Sequence, residues 1–232
     1  MPKTQPTAVR TYTIFASVIM VLFAPLLAMS YFATKDGAEM LRTASVRAWA
    51  QPTRRMLEPM LTFASADRVY ATYSLLIALV IPALPLAAWA VRRARFPLAG
   101  TFERRASWVV AAAWTLFSAS LLVVAVALQV KPANSSGNSV VNVVFIAGMI
   151  PGLLIGCLGS APLGVSLLRH GFLPRIAGLL ITLALPLWVL STFAIGHNSI
   201  GIVPQMIAWT FALSASMKPK GADAPLRSSS TG

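Results

Sequence analysis

Apolar residues gather in six runs along this chain, and the polar residues fall between them, at positions 12–33, 69–91, 106–128, 140–168, 175–195 and 200–216. A helix rises 1.5 Å per residue, so roughly 20 apolar residues are needed to cross a hydrocarbon layer about 30 Å thick. Five runs clear that length, and the last barely reaches it. The pattern predicts an all-α polytopic membrane bundle of about six helices in one domain, 1–216. Residues 34–68 then form an extracytoplasmic loop, and 217–232, rich in Ser, Pro and Gly, a disordered cytoplasmic tail. Lys3 and Arg10 ahead of the first run also fit a secretory signal, but signal cores span about 7 to 15 residues, and the longer run points to a retained span.

The polar stretches carry local signals. Asp36 followed by Glu39 reads as a helix cap with its acidic partner, after which Ala38, Leu41, Ser45 and Trp49 share one side of a helix. Met56, Leu57, Met60, Leu61 and Ala64 repeat a helical spacing beyond Pro52. Two readings stand for these pieces: interfacial helices lying on the bilayer, or a connector packed on the end of the bundle. Ser65 or Asp67 caps the second span, where Pro82 and Pro85 remove backbone donors and predict a bend. A basic loop follows, holding Arg92, Arg93, Arg95, Arg104 and Arg105 against Glu103, with Trp89 and Trp108 on either side at head-group level. Residues 129–139 have turn composition, Pro174 starts the fifth span, and Gly196-His197-Asn198-Ser199 is a tight polar turn.

One span carries a further periodicity. Gly148, Gly152, Gly156, Ser160 and Gly164 place a small residue at every fourth position of 140–168. Small residues four apart let a neighbouring backbone come close, which is how helices associate in lipid. Four residues turn an ideal helix by about 400°, so the stripe drifts by about 40° per step and is expected to serve two neighbours in turn. The span then reads as the central helix of the bundle.

Composition sharpens the class. The chain is 57% hydrophobic and 11% charged, against about 45 to 50% and about 25% for soluble domains. Its net charge of +13 resides in the connections, where Lys and Arg orient a membrane protein and meet anionic lipid. No basic and aromatic platform is large enough for a nucleic-acid strand. With an even number of spans, twelve Lys and Arg fall on the side of the termini and seven on the other, so both termini are expected in the cytoplasm. Fourteen arginines against five lysines, with abundant Ala, suggest a GC-rich bacterial genome and so a bacterial plasma membrane.

Chemistry is sparse. No Asp, Glu, Lys or Arg lies inside a proposed span, which argues against a proton-coupled carrier or an intramembrane carboxylate protease. Cys157 has no partner for a disulfide, and His170 and His197 fall on opposite faces, so no catalytic, cofactor or metal site is expected. The best polar cluster is His197, Asn198 and Gln205 around the last hairpin, either a small ligand site or turn residues with one buried amide.

Gly171-Phe172-Leu173-Pro174-Arg175, followed by Gly178 in a membrane helix, resembles a pattern in uncharacterised bacterial multi-pass membrane proteins, some of them domain-of-unknown-function families. The resemblance implies an integral membrane protein and nothing finer. Three functional classes remain open. The first is a non-enzymatic accessory, regulatory or immunity-type subunit acting through helix packing, with lipid, another membrane protein or its own copy as partner. The second is a small transporter or channel for an uncharged or lipophilic substrate. The third is a lipid-modifying enzyme using loop residues.

Overall fold

A computed structural model of the chain describes residues 5–130 and 139–217, with the side chains of all of these except 5, 6, 53–55, 57 and 60. The turn expected over 131–138 and the tail from 218 lie outside the described residues. The described residues are helical almost throughout, with no strand among them. In chain order the helices are α1 (Gln5–Ala33), α2 (Lys35–Met40), α3 (Ala44–Leu61), α4 (Ala66–Val80), α5 (Ala83–Arg95), α6 (Thr101–Val130), α7 (Ser139–Val144), α8 (Ile150–Arg169), α9 (Arg175–Thr182), α10 (Ala184–Ile195) and α11 (Ser199–Ser216).

Five spans among these are long and apolar enough to cross a membrane: α1, α4 with α5, α6, α7 with α8, and α11. The pair α9 and α10 makes a sixth if it is one span, because the two pieces meet at 66°. Proline places each irregularity. Pro186 cannot bond to the Thr182 carbonyl, and the helix breaks there. Pro82 and Pro85 separate α4 from α5, and the Tyr12 hydroxyl of α1 donates to the Leu79 carbonyl beside that break at 2.8 Å. Pro151 cannot bond to Ala147, and the chain widens into a π-turn over Phe145–Met149, where the Ile150 amide reaches the Phe145 carbonyl.

Several expectations change. Thr34, not Asp36, caps α2, its hydroxyl accepting from the Gly37 amide at 3.2 Å. The two pieces foreseen in 34–68 divide elsewhere: α2 ends at Met40, and α3 runs unbroken through Pro52 and Pro59. Val46, Trp49 and Ala50 of α3 pack on Ala28 and Phe32 at the end of α1, while Met56 and the following Phe63 stay exposed. The basic loop is mostly helix, shortened to a 3-10 turn and a few residues between α5 and α6. Ser65 caps α4, as one of the two alternatives had it.

Charge is also buried where none was expected. Arg95 Nε donates to Glu103 Oε1 at 2.8 Å, with the two side chains 10% and 5% exposed, and Ser166 of α8 donates to Glu103 Oε2. The pair sits at the span ends and ties α5, α6 and α8 together. Removing one member of such a pair leaves the other charge buried, at a cost of about 3 to 5 kcal/mol.

The small residues of α8 are spent inside the chain. A Cβ on Gly152 would lie 2.6 Å from the Phe117 amide nitrogen of α6, and one on Gly156 would lie 3.0 Å from the Trp114 indole. Gly148 faces Ser120 of α6, and Gly164 faces Thr182 at the end of α9, its Cβ position 2.8 Å from that backbone nitrogen. Ser160 is buried, its hydroxyl returned to the Gly156 carbonyl at 2.6 Å. The stripe therefore meets α6 first and α9 afterwards. The span is not the central one, however: 39% of its apolar window is buried, against 61% for α4 with α5. Its other flank, with Val143, Ile146, Ile155 and Leu158, faces outward.

Gly156→Leu should drive a branched side chain into the fully buried indole of Trp114, an overpacking cost of about 1 to 3 kcal/mol. Its monodisperse yield in mild detergent should collapse, whereas Gly100→Leu, with nothing within 4 Å of its Cβ position, should purify normally. Normal behaviour of the Gly156 variant would contradict the seam.

Candidate functional site

Five elements converge at the end of the bundle that carries α2. They are the end of α1, the start of α4, the end of α6, α7 with its π-turn, and the end of α10. Between them lies a cavity of about 380 Å³. Its body is apolar, lined by Leu27, Leu121, Val124, Leu128, Val141 and Met149. Its lining on the fourth span stops at Met149, so the cavity begins where the glycine seam ends.

The rim is polar, and each group is placed by a local rule. Gly37 lets the chain fold back after α1, since a Cβ there would collide with the Tyr31 carbonyl, and this sets Tyr31, Thr34 and Asp36 on one rim. Asp67, in the first turn of α4, sits where a carboxylate meets the positive end of a helix, and Asp36 does the same on α2. Gly196 ends α10 at φ +76°, a left-handed turn that favours glycine, and delivers His197 and Asn198 to the same rim. Thr192, one turn earlier on α10, lines the cavity with a buried hydroxyl that has no hydrogen-bond partner among the described residues.

Aromatic rings form one wall. Tyr31 and Tyr70 lie 5.5 Å apart at their centroids, tilted by 50°, and His197 lies 5.1 Å from Tyr31 and 6.3 Å from Tyr70. The His197 Nδ1 is 2.8 Å from Ser199 Oγ, and Ser199 Oγ donates to the Ala24 carbonyl at 3.1 Å. Burial lowers the imidazole from its usual 6.5 to about 4, so the ring is neutral near pH 7. This serine and histidine are not arranged for nucleophilic attack: both are buried, and the hydroxyl is held on a backbone carbonyl. The Ser199 amide nitrogen lies 3.3 Å from the same Nδ1, so ring and hydroxyl together close the first turn of α11.

The structure divides the predicted polar cluster. His197 and Asn198 both line the cavity, but Gln205 does not: it is buried one helix away, donating from Nε2 to the Leu180 carbonyl of α9 at 2.7 Å. His170 belongs to the opposite end, 4.0 Å from Glu103. Tyr31, Asp36, Asp67, Tyr70 and Thr192 were not singled out as a site from sequence. Aromatic residues at span ends were the available signal for the two tyrosines, but only the fold brings positions 31, 70 and 197 together. Among the described residues no three of His, Cys, Asp and Glu converge as a metal centre would require. Comparison with protein-family models, with curated proteins and with solved structures finds no match for this chain.

The imidazole makes the fold sensitive to acid. An unfolded chain takes up the proton near pH 6.5, and the folded one resists until about 4, so this contribution to stability is complete above 6.5 and is lost between the two values. The melting temperature of His197→Gln, measured against the parent, should therefore rise in relative terms as pH falls from 6.5 to 4. A difference that stays constant across that window would contradict a buried neutral histidine.

Proposed function

We propose that this multi-pass membrane protein binds an amphiphilic small molecule in the cavity at the α2 end, as the recognition step of a transporter. The observation that carries the reading is the cavity itself. Its volume of about 380 Å³ lies in the range of about 300 to 1,000 Å³ found for ligand pockets, and it joins an apolar body to a small set of rim polar groups.

Two features around the cavity support transport over static binding. The π-turn contributes Phe145 to the lining, and the broken pair α9 and α10 contributes Thr192 through its second piece. Interrupted helices beside a binding site are how transporters combine exposed backbone with motion. The accessory-subunit reading loses its main motive, because Gly148, Gly152, Gly156 and Gly164 are already covered by the chain's own helices. The same reading assigns no enzymatic role: the Ser199 hydroxyl is committed to the Ala24 carbonyl and the His197 ring is a weak base. With the excess of Lys and Arg on the side of the termini, both ends lie in the cytoplasm of a bacterial plasma membrane, and the cavity opens to the outer side.

The full chain purified in mild detergent should yield a bound small amphiphile on organic extraction and mass spectrometry. Thr192→Phe, which fills the cavity from a half-buried position, should purify equally well and lose it. A stoichiometric second membrane protein, with no small molecule in the extract, would overturn the reading in favour of an accessory subunit.

A further inference from the structure

We infer that the ligand of this cavity is an amphiphilic ammonium ion, its cationic head held at the rim by Asp36, Asp67 and the Tyr31–Tyr70 ring pair and its apolar tail running down toward Met149. The inference rests on the binding reading above and adds the charge of the ligand to it.

Charge distribution is the first argument. The chain has 19 Lys and Arg against 6 Asp and Glu, yet the cavity lining includes two of the acids and none of the bases. Neither carboxylate has a cationic side chain within 4.0 Å among the described residues. Both are half-buried, so the field they set up in the cavity is screened less than at an open surface. In a protein with a net charge of +13, an acidic pocket is a local reversal that favours a cation.

Ring geometry is the second, independent argument. Tyr31, Tyr70 and His197 stand at centroid distances of 5.1 to 6.3 Å, with Tyr70 and His197 meeting edge to face at 87° and Tyr31 tilted against both, so the rings cluster without stacking. All three rings line the cavity as one packed cluster, and aromatic surface of this kind attracts a quaternary ammonium group. The neutral state of His197 keeps a competing positive charge out of it.

Size and polarity give the rest. Beyond the rim the lining holds no charged side chain, its polar groups being neutral ones such as Ser74, Asn142 and Thr192, so the ligand carries its charge at one end. The volume suits a single-chain amphiphile.

The test is calorimetry on the full chain in a nonionic detergent, with dodecyltrimethylammonium as the probe beside a neutral analogue in which a tert-butyl group replaces the ammonium. The cation should bind about tenfold tighter, a difference of about 1.4 kcal/mol. Asp36→Asn with Asp67→Asn should bring the two affinities together, and Asp36→Glu with Asp67→Glu should restore the preference. Equal binding of both probes by the parent chain would overturn the ammonium assignment while leaving the binding reading intact. Binding of neither probe, with Thr192→Phe indistinguishable from the parent, would overturn both. Competition with lysophosphatidylcholine separates the sources: displacement of the probe assigns the head group of a lipid, and persistence of the probe assigns a free amphiphilic cation, each in keeping with an ammonium site.

Discussion

Everything in this structure depends on how closely α8 can approach α6. In lipid, two apolar helices gain nothing by hiding their side chains from a solvent that is itself apolar, so association rests on contact between backbones and on a few hydrogen bonds. Gly152 and Gly156 permit that contact, one against the Phe117 backbone and the other against the Trp114 indole. Gly164 repeats the device against the end of α9, and Gly201 of α11 does so against Trp188 of α10. Side-chain bonds across helices add to the seams: Ser17 with Thr210 at 2.9 Å, Gln129 to the Ala71 carbonyl at 2.6 Å and Gln205 to the Leu180 carbonyl at 2.7 Å.

The two ends of the bundle differ because the seam does not run their full length. At the end holding Arg95, the helices close on a buried ion pair, with Arg95 also over the Phe172 ring and Arg104 over Phe96. The crevice there is about 10 Å³, too small for more than a water molecule. At the other end the stripe stops at Gly148 inside the π-turn, bulkier residues such as Phe145 and Val144 precede it, and the space between α1, α4, α6, α7 and α10 stays open. The cavity is thus the counterpart of tight packing elsewhere. Prolines interrupt three of the spans, and beside the break at Pro82 a carbonyl, that of Leu79, is met by the Tyr12 hydroxyl.

The membrane class and the spans were legible in the sequence because a run of about 20 apolar residues has one economical solution in water and lipid. The four-residue stripe announced close packing, and its drift around the helix announced two neighbours. What the stripe could not announce was rank: its small residues make contact on one narrow side, so the span carrying them is more exposed than α4 with α5. Buried charge is hidden from the sequence for a related reason. Arg95 and Glu103 sit eight residues apart at the ends of two helices, and counting residues in a loop cannot tell a solvated pair from one folded under Ser166. The cavity was least legible. His197 and Asn198 stood out as polar residues in a turn, but Tyr31, Asp36, Asp67 and Tyr70 each have an ordinary local role, and only tertiary packing gives them a common one.

The proposed ligand enters the cavity at this end of the bundle, where the hydroxyl of Thr192, unpartnered among the described residues, marks the wall. The most direct measurement is thiol labelling of Thr192→Cys in a Cys157→Ala background, in intact membranes, with a small membrane-impermeant reagent and with or without a saturating amphiphile. The introduced thiol should be labelled from one side of the membrane and protected by the amphiphile. A thiol that never reacts, or one that reacts equally with the amphiphile present, would contradict entry of a ligand there.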